Sequence, residues 1–221
     1  MARIDYIKSM ELTNNTSNIK NKSITGRTFV ADYGNNYWTI KIETVPLTQQ
    51  QFLNEFLGGF FYVASNKVEK ITTDFKLPVL KDKRGTASGT ITVLNENSTA
   101  PAYNKDIGSN TVGVSGGTGT LLAGDLIKFS GHSKVYMISA ATNLDGSTKD
   151  TISFTPRLVS GVATNTITYS DVTFTVIPET DVEEWRLAGA SNGALQSPTG
   201  VNTNETQALF EYEQTYREVV R

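Results

Sequence analysis

Hydrophobic and polar residues alternate in several short stretches of the chain, which is the pattern of strands that bury one face. Trp38, Ile40 and Ile42 share one face of such a stretch, and the residues between them are polar or charged. A Gly-Asn-Asn sequence with turn chemistry precedes it. We therefore predict a hairpin between residues 28–33 and 37–43.

Similar runs continue to the end of the chain, and turn residues separate them at short intervals. Gly131-His132-Ser133 and Asp145-Gly146 each predict a reversal between neighbouring strands. This spacing is typical of a small barrel or sandwich. Further strands are predicted at residues 60–63, 71–77, 86–94, 126–129, 134–140, 151–154, 166–169, 172–177 and 208–220.

One stretch has helical spacing instead. Thr48 can cap a helix, with Gln51 three residues later and Leu47 placed to pack on the first apolar residue. An apolar stripe follows at spacings of three and four, and Gly58-Gly59 ends it. We predict one short amphipathic helix, whose stripe is Phe52, Leu53, Phe56 and Leu57.

Three segments have neither pattern. Residues 12–24 are rich in Asn, Thr and Ser, which predicts a loop or a mobile arm. Glycines in residues 113–119 predict a flexible crossing. Residues 189–204 combine small residues with a proline, which predicts a surface loop.

A polar break at residues 81–85 marks a module boundary. We expect the last strand, residues 208–220, to complete a sheet that begins near the N-terminus, which makes the middle of the chain an insertion. The predicted fold is mainly β: an antiparallel β-barrel or sandwich domain with one short α-helix and an inserted small β-barrel module. The domain begins in residues 1–80, the module covers 81–165, and residues 166–221 complete the domain.

Composition argues against several classes of protein. The 221 residues are 38% hydrophobic and 19% charged, which provides enough apolar surface for a folded core. The net charge of -2 comes without a basic block, so we expect no specific nucleic-acid binding. The longest apolar stretch, residues 52–64, is interrupted and too short for a membrane segment, and the N-terminus lacks the apolar core of a signal peptide. Cysteine is absent, which excludes disulfides and thiolate chemistry and fits synthesis in a reducing cytoplasm.

His132 is the single histidine and lies in a predicted turn. A serine hydrolase would need it as the base, beside an activated serine and oriented by a carboxylate. The sequence signals neither partner, because it contains no Gly-x-Ser-x-Gly motif. We interpret His132 as a turn residue, with a catalytic base as the alternative. A zinc site would have to rely on carboxylates, which is an uncommon ligand set.

Two glycines have the spacing of a phosphate-binding loop. Between Gly119 and Gly124 lie four residues, as in that motif. Asp125 and Leu126 stand where the motif requires Lys and Ser or Thr, and a carboxylate repels phosphate. We interpret the segment as a loop that needs conformational freedom, and we predict no cofactor.

Acidic and aromatic residues supply the remaining candidates. Asp181, Glu183 and Glu184 could form the carboxylate pair of a glycosidase, but neighbours in a strand point to opposite faces, so a solvated acidic segment is the simpler interpretation. The aromatic residues are interpreted as core or subunit interface, with a sugar-stacking platform as the alternative. No catalytic residue and no metal site are predicted. The aromatic residues concerned are Tyr33, Tyr37, Trp38, Tyr136, Tyr169, Trp185, Tyr212 and Tyr216.

The order of these patterns resembles the minor tail proteins of tailed bacteriophages, of the distal tail or baseplate hub type. The resemblance depends on the strand, helix and strand arrangement of residues 28–77. It also depends on the boundary at Leu77-Pro78-Val79 with Arg84-Gly85, and on residues 123–129 followed by Lys134-Val135-Tyr136.

The resemblance implies a non-enzymatic structural protein of the virion tail, assembled in the host cytoplasm. Its β-barrel would stack on the tail tube as a ring, a hexamer in preference to a trimer. The inserted module would face hub, baseplate or fibre proteins. Because a closed ring pairs open sheet edges between subunits, we expect residues 37–43 and 208–220 to be those edges.

Two other functions stay open. A carbohydrate-binding module or receptor-binding adhesin would use Trp185 or exposed tyrosines as stacking surfaces. A hydrolase would depend on His132 as its imidazole base.

Overall fold

The computed structural model describes residues 7–15, 18–22, 25–32, 36–48, 73–76, 83–99, 102–146, 149–179, 184–191 and 207–219. All regular secondary structure in these ranges is β-strand, which confirms the prediction of a mainly β chain. The helix predicted beyond Thr48 lies outside the described residues, as does the strand predicted at residues 60–63.

Nineteen strands occur in the described ranges. They are β1 Ile7–Asn15, β2 Asn18–Lys22, β3 Thr28–Asp32, β4 Tyr37–Thr44, β5 Leu47–Thr48, β6 Thr73–Lys76, β7 Ile91–Val93, β8 Ser98–Thr99, β9 Ala102–Tyr103, β10 Thr111–Ser115, β11 Thr118–Leu121, β12 Leu126–Phe129, β13 Val135–Ile138, β14 Thr142–Asp145, β15 Asp150–Thr155, β16 Thr166–Thr168, β17 Thr173–Pro178, β18 Glu184–Ser191 and β19 Gln207–Glu218. Predicted strands are confirmed at β4, β6, β7, β12, β13, β15, β16, β17 and β19.

The chain forms two compact units. Unit 1 contains the described residues of 1–13, 39–73 and 176–217, and unit 2 contains those of 14–38, 74–175 and 218–221. The sequence boundaries at residues 80/81 and 165/166 stay predictions.

Unit 2 contains a closed six-stranded barrel in the order β10-β15-β13-β12-β16-β7. Every neighbouring pair is antiparallel. Strand β7 closes the barrel, because Val93 pairs with Val114 of β10 and Ile91 pairs with Ile167 of β16. The small barrel predicted from the turn spacing is therefore present.

Aromatic rings fill the centre of the barrel. Phe129, Tyr136 and Phe154 are buried and pack edge to face, with ring centroids 5.2, 5.5 and 5.3 Å apart. Edge-to-face pairs of this kind stabilise a core beyond the area they bury. Aliphatic side chains from the six strands surround the rings, including Ile91, Val112, Val114, Ile127, Ile138, Ile152 and Ile167.

Glycines fit the backbone of the barrel where no other residue would. Gly113 lies inside β10, where a Cβ atom would stand 2.5 Å from the ring of Tyr103. Gly116 and Gly117 have φ values of 75° and 71° and connect β10 to β11. The flexible crossing predicted for residues 113–119 is therefore wrong, because these glycines serve two strands and a tight turn.

A second sheet has seven strands. Its order is β1-β4-β19-β17-β6, and β5 and β18 also pair with β19. Along β4, Trp38, Ile40 and Ile42 are buried while the residues between them are partly or fully exposed. The face predicted from alternation is confirmed.

Strands β4 and β19 are neighbours inside this sheet. Glu43 pairs with Glu213 and Thr39 pairs with Arg217, while β1 and β17 flank the pair on either side. The prediction that these two strands are the open edges is wrong. Alternation shows that one face is buried, but it carries no information about whether the backbone groups along the two sides of a strand are paired.

Strand β3 pairs with β2 and not with β4. Thr28 lies opposite Lys22, and Asp32 lies opposite Asn18. The hairpin predicted between residues 28–33 and 37–43 is therefore wrong. The loop or arm predicted at 12–24 is also wrong, because it contains the end of β1 and all of β2. Backbone hydrogen bonds hold polar strands too, and such strands leave no alternating apolar signal.

Candidate functional site

His132 lies in the connection between β12 and β13, where its backbone amide donates to the carbonyl of Phe129 over 3.1 Å. Its side chain is buried. Nε2 is 2.6 Å from Oγ of Ser160 and 3.3 Å from the carbonyl oxygen of Gly161. Nδ1 is 3.2 Å from the hydroxyl of Tyr136. The fold thus brings a serine to the one imidazole, a partner that the sequence did not signal.

Both ring nitrogens of this imidazole have hydrogen-bond partners. Val159 N–H donates to the Tyr136 oxygen over 3.4 Å, and burial raises the pKa of Tyr136, so the phenol keeps its proton. The contacts of Nε2 with Ser160 and Gly161, and of Nδ1 with Tyr136, take their donor and acceptor roles from the ring tautomer. Burial lowers the pKa of His132, and the hydrogen bond with the Gly161 backbone opposes this shift.

General-base activation of a serine needs an Nε2 that accepts the hydroxyl proton, usually with a carboxylate at Nδ1 that fixes this tautomer. Here a phenol occupies the position at Nδ1. The contacts of His132 and Tyr136 hold residues 159–161 against the barrel. The interpretation of His132 as a turn residue, with a catalytic base as the alternative, stays a prediction.

Asp125 is fully buried in the turn before β12. Its Oδ1 accepts the backbone N–H of Arg84 at 2.8 Å, and its Oδ2 accepts those of Leu122 at 2.8 Å and Gly85 at 3.3 Å. The carboxylate thereby satisfies three backbone donors that would otherwise lack a partner. Gly124, with a φ of 92°, supplies the turn beside it. The segment that has phosphate-loop spacing therefore folds around the buried carboxylate of Asp125.

Lys134 and Glu218 form a fully buried ion pair in unit 2, with Nζ 3.2 Å from Oε2. The same carboxylate accepts Val135 N–H at 2.5 Å and Trp38 N–H at 3.2 Å. Lys134 Nζ also donates to the backbone carbonyl of Asn36. Burial lowers the pKa of Lys134 and raises that of Glu218, and in each case the partner's charge opposes the shift.

An open recess of about 540 Å³ lies on the surface of unit 2. Tyr103 is the aromatic residue in its lining, but that ring is buried and faces Gly113. The Asn97 side chain donates to Asp106 and accepts the amide of Lys105. Sugar sites present an exposed aromatic face, so this recess does not favour sugar stacking. Its lining residues are Asn97, Ser98, Thr99, Tyr103, Asn104 and Thr111.

The remaining candidates differ in burial. Trp38, Tyr136 and Tyr216 are buried, as the core interpretation predicts, whereas Tyr37 and Tyr169 are half-buried. Asp181, Glu183 and Tyr33 lie outside the described residues, and only the backbone of Glu184, Trp185 and Tyr212 is described. Among described residues, no three acidic or histidine side chains cluster in a way that could hold a metal ion.

No protein-family model matches the sequence, and no curated protein matches it either. Within the described ranges, no helix is long and apolar enough to cross a membrane.

Proposed function

We propose that the protein is a structural component of a bacteriophage tail tip or baseplate. In this role it forms a ring, a hexamer in preference to a trimer, that joins the tail tube to hub, baseplate or fibre proteins. The proposal extends the sequence resemblance, and one observation supports it most. Among the described strands the seven-stranded sheet does not close on itself, and β1 and β6 stand at the two ends of its strand order.

An open sheet end presents backbone donors and acceptors that can pair with a strand of another chain. Head-to-tail pairing of β1 in one copy with β6 in the next is a heterologous contact, and such contacts close into a ring when the rotation allows. Strand β1 has nine residues and β6 has four, so the proposed pairing would span the length of β6. An obligate assembly of this type buries roughly 2,000 Å² or more at each interface.

Light scattering on the purified chain, followed by negative-stain imaging, tests the proposal. We expect a defined oligomer and a ring with a central hole. A monomer that persists when the chain is mixed with tail-tube and hub proteins would contradict the assembly role.

Substitutions on β1 test the pairing directly. Ser9 and Thr13 are exposed on β1, so Ser9→Lys with Thr13→Lys places two charges per copy along the sheet end. The control is Thr166→Lys with Thr168→Lys, on exposed positions of the closed barrel. We expect the first variant to be monomeric and folded, and the control to assemble normally. Loss of assembly in both, or in neither, would refute pairing through β1.

A further inference from the structure

Strand β19 has twelve residues. Several registers of this strand against its neighbours would be nearly equivalent in their side-chain pattern. Side chains alternate with a period of two along a strand, so a slip by two residues returns the same set of positions to the same face. Alternation therefore excludes slips by one residue but does not distinguish slips by two. Some other feature has to fix this strand.

Glu218, the last residue of β19, distinguishes one register from the others. Its side chain is fully buried, and its carboxylate accepts hydrogen bonds from Lys134 Nζ, Val135 N–H and Trp38 N–H. These three donors come from two separate segments of unit 2, and the Lys134 side chain is fully buried. One carboxylate thus meets a fixed set of buried donors.

We propose that Glu218 sets the register of β19, because a slip by two residues removes its carboxylate from these donors. A slip by two brings either Tyr216 or Val220 to the position of Glu218. A phenol or an isopropyl group cannot compensate the Lys134 charge. An uncompensated charge in a core is strongly destabilising.

Cysteine cross-linking measures the register, since the chain contains no cysteine of its own. Lys41 lies opposite Thr215, so Lys41→Cys with Thr215→Cys reports the native register. Lys41→Cys with Glu213→Cys, or with Arg217→Cys, reports the two slipped registers. In the otherwise unchanged chain, we expect a disulfide in the first pair alone.

The same three reporters are then placed in a chain with Lys134→Met and Glu218→Leu. The double variant leaves the amides of Val135 and Trp38 without their acceptor and should be less stable than the unchanged chain. In its folded population we expect the slipped disulfides to rise about a hundredfold, the factor equivalent to ~3 kcal/mol. Glu218→Gln keeps the shape of the side chain without its charge and should show a smaller rise. If the double variant does not fold, Glu218→Gln alone decides. If each folded variant forms only the disulfide of the Lys41→Cys and Thr215→Cys pair, the proposal is overturned.

Discussion

The ring of Tyr103 occupies the space beside Gly113 where any other residue would carry its Cβ atom, 2.5 Å from the ring. Gly113 is buried in β10, so neither side can withdraw toward solvent. Tyr103 is itself held by a hydrogen bond from its hydroxyl to Glu96, 3.2 Å away. The contact therefore makes the barrel wall sensitive to one methyl group.

Gly113→Ala should lower the free energy of unfolding by about 1–3 kcal/mol, the usual cost of overpacking a core. Urea denaturation measures this change. Gly161→Ala is the control, because the nearest atom to an added Cβ there is 3.8 Å away. The control should gain about 0.4–1 kcal/mol from a less flexible unfolded chain. Equal effects of the two substitutions would contradict the packing argument.

Asp125→Ala should lower the free energy of unfolding by about 2–5 kcal/mol, because it leaves the amides of Arg84, Gly85 and Leu122 without their acceptor. Asp125→Asn keeps one acceptor oxygen and should lose about half as much. Asp106→Ala removes an exposed carboxylate and should cost less than about 1 kcal/mol. Denaturation midpoints rank the three variants, and a neutral Asp125→Ala would disprove the assigned role.

The free energy of unfolding should decrease as the pH becomes acidic, because His132 titrates. Burial lowers the pKa of this residue in the folded state below its ordinary value of 6.5. Between those two pKa values the unfolded chain binds more protons, so the free energy of unfolding rises with pH. The contribution is complete above about pH 6.5 and is lost as the pH decreases toward the folded-state pKa.

A comparison of the unchanged chain with His132→Gln isolates this effect, since carboxylates titrate in both. Urea midpoints between pH 7.5 and 5 should converge as the pH falls. A difference that stays constant across this range would show that His132 does not titrate as its burial requires.

Residue patterns predicted the strands well where one face is buried. Trp38, Ile40 and Ile42 lie as alternation requires, and the turn at Gly131 separates β12 from β13 as expected. Pairing was predicted poorly. A polar strand such as β2 carries no alternating signal, and the neighbours of β4 and β19 depend on backbone groups that every residue shares.

Local sequence patterns also did not predict the buried polar clusters. Ser160 approaches His132 across 28 positions of sequence, and Glu218 approaches Lys134 across 84. A motif search can find partners only at fixed short spacings, whereas these contacts result from the closure of the fold. The phosphate-loop motif identifies Asp125 only as a departure from the motif. In the structure the Asp125 carboxylate accepts hydrogen bonds from backbone amides, a role that the motif does not predict.

The meeting of β7 with β16 has a consequence during protein synthesis. Ile91 finds its partner Ile167 only after the intervening strands have been made, so the growing chain carries an unclosed barrel for most of that time. Until then the apolar interior of the barrel and its unpaired strand edges are exposed to water. Nascent β proteins associate with one another in this condition.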